Sequence, residues 1–350
     1  MRWNALRVSE GATPELPLGL GDATVRTFDT PGFRGITFYE IRAKSIINKV
    51  PGASRVPFQW TINPYRGCSH ACVYCFARNT HTYLDLDAGH DFDSRVVVKV
   101  NAGQLLRKEL AAPRWPGEHI AMGTNVDCYQ RAEGRYRLMP QIIEALRDHA
   151  NPFSILTKGT LILRDLDLLR QAAEVTKVGL AMSIGFIDEQ LWRSVEPGTP
   201  SPRRRLDTVR TLADAGFAVG VLMAPVLPGI TDGPEDIDRT VSAIAESGAA
   251  SVTSLPLHLR PGAREWYLQW LGRTRPELLE RYQELYRGGS YALAGYQREV
   301  TARVRMTARR YGLIRAPAGQ ARQAVDGPDQ ATPVTRTTQR EEAATQLKLL

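Results

Sequence analysis

The sequence predicts an α/β fold built as an open, partial barrel of six strand–helix units. Six short apolar or β-branched runs occur at 58–65, 119–126, 153–157, 178–184, 218–226 and 251–257. Segments with helical spacing lie between them, at 102–110, 139–149, 163–173, 204–215 and 234–246. Alternation of this kind builds a mainly parallel sheet, and six units are too few to close an eight-fold barrel. Chemistry in such folds gathers at the carboxyl ends of the strands, where loops lead into helices.

Taken in order, residues 1–57 read as an irregular N-terminal extension with one apolar segment, from Ile36 to Ile47. Residues 58–265 carry the six units. Within 234–246, Ile237, Val241, Ile244 and Ala245 recur at three- and four-residue steps, which puts an apolar stripe on one helix face. Residues 266–316 read as a C-terminal helical region, with Trp266, Trp270, Leu271, Tyr282 and Tyr286 as its apolar anchors. Beyond that, 317–350 turn to Gln, Thr, Ala and charged residues, the composition of a disordered tail.

Bulk composition narrows the classes. The chain is 350 residues long and 43% hydrophobic, enough for a substantial core. No apolar run reaches bilayer-spanning length, and the N-terminus lacks the charged-then-apolar layout of a secretory signal. A cytoplasmic protein with no membrane partner is the expectation. The net charge of +8 favours polyanionic partners such as nucleic acid. Basic residues cluster at Arg203, Arg204 and Arg205 and again across Arg298, Arg303, Arg305, Arg309, Arg310 and Arg315. Such runs also serve as plain solvated helix faces.

Three of the four cysteines fall within eight residues, in Asn63-Pro-Tyr-Arg-Gly-Cys68-Ser-His-Ala-Cys72-Val-Tyr-Cys75-Phe-Ala-Arg78. A disulfide framework spreads even pairs along a small secreted chain, so this grouping points to a metal or a cluster. The spacing is C-x3-C-x2-C, just after the first strand. Cubane iron–sulfur clusters are normally held by four thiolates. Three thiolates leave one iron with an open position, the arrangement a protein uses to bind substrate at a metal. The competing reading is zinc, with His70, His81 or His90 as fourth ligand, although no second paired-ligand knuckle follows.

The spacing, with Tyr74 directly before the last cysteine, resembles the signature of the radical S-adenosylmethionine (radical SAM) superfamily. The longer string, AKSIINKVPG at 43–52 with NPYRGCSHACVYCFAR at 63–78, resembles the SplB-like branch related to spore photoproduct lyase. The resemblance implies the partial TIM-type barrel of that superfamily. It also implies a [4Fe-4S] cluster on Cys68, Cys72 and Cys75 that chelates S-adenosylmethionine (AdoMet). Reductive cleavage of AdoMet then gives a 5′-deoxyadenosyl radical that abstracts hydrogen from a substrate. A one-electron donor such as flavodoxin or ferredoxin is the implied partner.

Further residues follow from that resemblance. Tyr74 is expected near the adenine. The second strand end usually carries a Gly-Gly-Glu-like motif for the AdoMet amino group, which is absent here; Thr124, Asn125 and Asp127 are the acceptors available in its place. Lys158 and Ser183, at the third and fourth strand ends, are expected to face the barrel mouth as partners for a carboxylate and a ribose; a surface lysine and a strand-packing serine are the ordinary alternatives. Glu196 and Arg204 resemble the branch's polar loop after the fourth strand, where arginine can clamp a carboxylate. Cys128 is the candidate hydrogen donor to a product radical, by analogy with a donating cysteine in the same strand region of spore photoproduct lyase, although the match is not residue for residue. A buried structural thiol is its ordinary alternative. The first function is therefore a radical enzyme with an unidentified substrate, nucleic acid being the first guess. A zinc- or cluster-containing nucleic-acid-binding protein and an electron carrier stand as the other classes.

Overall fold

A seven-stranded sheet organises the molecule and a four-stranded sheet flanks it. The structure, a computed structural model, describes residues 23–52 and 56–313. Residues 1–22 of the lead-in, Arg315 and the tail expected at 317–350 lie outside the described residues. The strands are β1 (Thr24–Thr27), β2 (Thr37–Ile41), β3 (Ile47–Lys49), β4 (Trp60–Ile62), β5 (Tyr65–Arg66), β6 (Arg95–Lys99), β7 (Ile120–Met122), β8 (Phe153–Thr157), β9 (Val178–Ser183), β10 (Gly220–Val226) and β11 (Ser251–Pro256). The α-helices are α1 (His90–Ser94), α2 (Ala102–Leu110), α3 (Glu133–Tyr136), α4 (Leu138–Asp148), α5 (Leu166–Val175), α6 (Glu189–Val195), α7 (Pro202–Asp214), α8 (Pro234–Glu246), α9 (Ala263–Thr274), α10 (Leu279–Leu285) and α11 (Ala294–Arg310).

The large sheet runs β11-β10-β9-β8-β7-β4-β3. Its six strands from β4 to β11 are parallel, and β3 closes one edge antiparallel to β4. Strands that follow one another through helical crossovers thus lie side by side, as right-handed βα units place them. This is the mixed α/β, partial-barrel core that the alternating runs predict.

Three runs needed correction. The run read as one strand at 58–65 divides at Asn63-Pro64 into β4 and β5, which join different sheets, because proline has no N–H for a ladder. The apolar segment from Ile36 to Ile47 likewise contributes β2 to the small sheet and β3 to the large one. The helix expected at 163–173 opens as a 3-10 turn, Thr160–Asp165, before α5. The small sheet, β1-β2-β6-β5, has no counterpart among the strand runs expected from the sequence. Its central strand β6 buries Val96, Val97 and Val98 completely.

The stripe on α8 behaves as expected: Ile237, Val241 and Ile244 are buried and Ala245 sits half-buried at its edge. Among the C-terminal helices, Tyr267 and Leu271 of α9 and Tyr282 of α10 are buried with Cys72, Val73 and Tyr74 in one apolar cluster. Trp266 and Trp270 serve that packing too. Trp266 covers the Arg78 guanidinium at 4.9 Å, and the Trp270 indole donates to Ser194 Oγ at 2.8 Å. Among the described residues no helix is long and apolar enough to cross a membrane.

Candidate active site

The loop carrying Cys68, Cys72 and Cys75 joins β5 to a 3-10 helix, Phe76–Leu84. Two buried side chains hold its backbone. Gln130 accepts from the Ser69 N–H at 2.9 Å and donates to the Gly67 carbonyl at 2.9 Å. Arg78, fully buried, donates to the Cys72 carbonyl at 2.9 and 3.2 Å, to the Gly89 carbonyl at 2.7 Å and to both Asp93 oxygens. Its plane lies between the Phe92 and Trp266 rings. A buried guanidinium tolerates such a place only when its donors are used, as they are here. A third contact comes from the end of α6 and the segment after it. There Val73 N–H donates to the Val195 carbonyl and Gly198 N–H to the His70 carbonyl, each at 3.0 Å.

All three thiols line one cavity of about 230 Å³ at the carboxyl ends of the parallel strands. Burial pushes each thiol up from its ordinary range, and for Cys68 and Cys72 neighbouring anions add to it. Such thiols become thiolates only beside a compensating cation, which the iron of a cluster would supply. Among the described residues no three His, Cys, Asp or Glu side chains converge on a single ion-sized point. A cubane cluster asks for no such convergence, because each thiolate takes a different iron. Three thiols lining one cavity are a donor set that fits such a cluster. Of the histidines considered for zinc, His81 Nε2 meets the Arg95 carbonyl at 2.8 Å and His90 Nδ1 meets Ser94 Oγ at 3.1 Å. His70 faces Asp127 at 3.5 Å, and burial pushes it down to about 4, so it is neutral.

Opposite the thiols, the strand ends bring Thr124, Asn125, Asp127, Lys158 and Ser183 to the same cavity. β7 ends at Met122 because Gly123 turns away with φ +73°, and a Cβ there would stand 1.7 Å from the Leu156 carbonyl. Asp127 is a bracket between strand ends. It accepts from the Tyr129 N–H at 2.9 Å, the Thr157 hydroxyl at 2.6 Å and the Lys158 N–H at 2.6 Å. Thr124 and Asn125 are left as the freer acceptors on that wall.

Behind Lys158 lies a buried charge network. Glu196 accepts from the Tyr74 hydroxyl and from Arg205 Nη2 at 2.5 Å, and Lys158 Nζ stands 3.7 Å from it. Arg205 Nη1 donates to the Ser183 carbonyl at 2.9 Å, and Lys158 Nζ donates to Ser183 Oγ at 2.5 Å. Burial raises the Glu196 carboxyl, but Arg205 and Lys158 overcome it and hold the group down to about 2. Tyr74 is thus fixed from below by Glu196 and faced by the Lys158 ammonium 5.8 Å from its ring centroid.

Three expected residues do not line the cavity. Glu196 lies buried behind Lys158 in the network above. Arg204 is exposed and does not line the cavity; its neighbour Arg205 is the one that turns inward. The reason is helical rotation: Arg205, Thr208, Val209 and Leu212 share the buried face of α7, and Arg204 falls one step off it. That spacing of three and four residues was the available signal. Cys128 is fully buried in the main core and does not line the cavity. Residues not expected at the site from sequence include Gln130, Arg205, and the cavity-lining His258 and Arg260. Arg78 was quoted only as the end of the cysteine string.

The chain matches the family model described as the Radical SAM superfamily over residues 62–243. It is 48% identical over 342 residues to the uncharacterized protein Rv2578c of Mycobacterium tuberculosis, covering 95% of this chain and 99% of that one. The uncharacterized protein MJ0683 of Methanocaldococcus jannaschii is 32% identical over 199 residues, 56% of this chain and 70% of that one. Among solved structures, spore photoproduct lyase complexed with dinucleoside spore photoproduct superposes with a TM-score of 0.60 at 17% identity, covering 78% of this chain and 79% of that one. A variant of the same enzyme with bound AdoMet and dinucleoside spore photoproduct gives 0.59 at 18% identity, with 78% of each chain covered. At such identities the likeness is one of fold.

Proposed function

Because the chain belongs to the radical SAM superfamily and is an enzyme of that class, we propose that Cys68, Cys72 and Cys75 hold a [4Fe-4S] cluster that binds AdoMet in the cavity they line. The observation that carries this reading is the placement of three otherwise unpaired thiols on one wall of a cavity at the strand carboxyl ends. When bound, the cluster supplies one electron to AdoMet, breaking its sulfonium C–S bond to give the 5′-deoxyadenosyl radical that takes hydrogen from substrate.

The chain's own groups bind and orient. Lys158, partly buried and positive, is the partner for the AdoMet carboxylate. Thr124 and Asn125 offer acceptors to its amino group, while Asp127 keeps their loop in place. Tyr74, locked by Glu196, forms a flat wall, and Ser183 presents its hydroxyl beside Lys158. Burial of the cluster loop beneath α9 and the segment after α6 keeps water from a reactive radical.

The substrate proposed is polyanionic, with nucleic acid first. Arg131, Arg203, Arg204 and Arg260 are exposed, and Arg260 lines the cavity, where a phosphate could be taken. The dinucleoside named for the solved spore photoproduct lyase agrees with this direction. A cytoplasmic flavodoxin or ferredoxin would supply the electron.

Anaerobic reconstitution with iron and sulfide, then reduction, tests the class. A [4Fe-4S]⁺ electron paramagnetic resonance signal that shifts on adding AdoMet, with release of 5′-deoxyadenosine, is expected. A cluster indifferent to AdoMet, or a protein that takes up zinc in its place, overturns the reading.

A further inference from the structure

The segment that leaves β11 alternates, as an extended chain does. Leu257 and Leu259 are buried in the apolar cluster of α9 and α10, while His258 and Arg260 turn to the cavity and line it. Backbone bonds hold the segment there. Leu257 N–H donates to the Val226 carbonyl at 3.1 Å, and Leu259 N–H to the Ser290 carbonyl at 2.8 Å. The Tyr286 hydroxyl donates to the Leu257 carbonyl at 2.7 Å. His258 is thereby bridged to Tyr291, and their rings stand 4.4 Å apart at 67°. An edge-to-face pair leaves ring faces uncovered, and Tyr291 is 44% exposed. Arg260 lies over the ring of Phe76, 5.2 Å from its centroid, and among the described residues no carboxylate pairs with it. By contrast Arg264, Arg281 and Arg303 donate to protein oxygens.

We infer that Tyr291, His258 and Arg260 form a clamp for one unpaired nucleotide, the aromatic pair stacking on its base and Arg260 taking an adjoining phosphate. The inference rests on the nucleic-acid reading above and narrows it to a single strand. The chemistry of the groups selects the occupant. A guanidinium resting on an aromatic ring keeps its edge donors free for an anion, and a phosphate fits them. The exposed aromatic ring beside it asks for a second π-face, which a base has and a bare phosphate or carboxylate lacks. In a duplex those faces are covered by neighbouring base pairs, so an unpaired nucleotide is what presents one. The groups assigned to the carboxylate and amino ends of AdoMet, Lys158, Thr124 and Asn125, follow β8 and β7, which β9 and β10 separate from β11. The clamp is therefore available to the substrate.

Arg260 and Tyr291 are both exposed, so replacing them spares the core. Fluorescence anisotropy compares labelled octathymidylate with an abasic phosphodiester of the same length, each titrated with the reconstituted full chain. Wild type is expected to prefer the thymidylate by about tenfold, the effect of one stacked base. Tyr291→Leu should lose that preference and Tyr291→Phe should keep it, with Tyr291→Ser as a second variant should the first fail to fold. Arg260→Gln should weaken both probes and reduce the slope of log affinity against log salt by roughly 0.7, one phosphate contact on a single strand. Equal binding of the two probes by wild type, a preference that survives in folded Tyr291→Leu or Tyr291→Ser, or an unchanged slope in Arg260→Gln overturns the clamp. Binding of neither probe removes the nucleic-acid reading with it. The AdoMet-induced resonance shift is recorded on the same samples. A shift present in wild type and lost in Tyr291→Leu assigns the ring to AdoMet and also overturns the clamp. A base preference that Tyr291→Leu loses, in a protein whose cluster ignores AdoMet, leaves the clamp standing and removes only the radical reading.

Discussion

Glu196 concentrates the electrostatics of the site on one buried carboxylate. Its folded value of about 2 lies below the ordinary carboxylate value, so its contribution is fully present above about pH 4.5 and is lost as pH falls toward 2. The lost stabilisation is on the order of 3 kcal/mol. The melting temperature of the wild type should therefore fall across that window, and Glu196→Gln should flatten the fall while lowering stability at neutral pH; a variant with the wild-type slope would contradict the assignment. Removing the cation has a larger effect. Arg205→Met leaves Glu196 buried without its main partner and should cost about 3–5 kcal/mol in denaturant unfolding. Arg204→Met, on the exposed side of the same helix, should change stability by no more than about 0.5 kcal/mol. This pair of residues also marks a limit of reading by sequence. Glu196 and the arginine run stand in the chain as neighbours, but which arginine reaches the carboxylate is set by how α7 is rotated about its axis.

At the scale of elements, the cluster loop depends on its contact with the segment after α6. A Cβ on Gly198 would stand 2.0 Å from the Ser69 carbonyl, and the atom in the way is backbone. Gly198→Ala should push the two segments apart and loosen the frame of Cys68 and Cys72. Iron and sulfide bound after reconstitution should fall several-fold with the far-ultraviolet circular dichroism unchanged; full cluster loading would show that the contact is dispensable. Strand ends follow the same logic. Thr124 and Asn125 reach the cavity because β7 stops at Gly123, and the glycine itself was visible in the chain as part of a polar strand end. Its reason, the Leu156 carbonyl packed against it, comes from a neighbouring strand.

For the whole molecule, the charge of +8 and its exposed arginines give a measurable consequence. If Arg131, Arg203, Arg204 and Arg260 each neutralise one phosphate, affinity for duplex DNA should fall roughly a hundredfold between about 50 and 200 mM salt. Filter binding or anisotropy across that range checks it, and a flat salt response would separate these arginines from nucleic-acid contact.

The sequence by itself determined the partial α/β barrel core and the cysteine loop. Both are written in local patterns: alternating short apolar runs and helical stripes, and three thiols within eight residues. Each of these survives folding because it concerns residues that are already neighbours in the chain. Only the tertiary structure decided which side chains meet. Pairing of β2 with β6 across more than fifty residues created the second sheet, rotation of α7 chose Arg205, and packing of the segment after β7 turned Cys128 into the core.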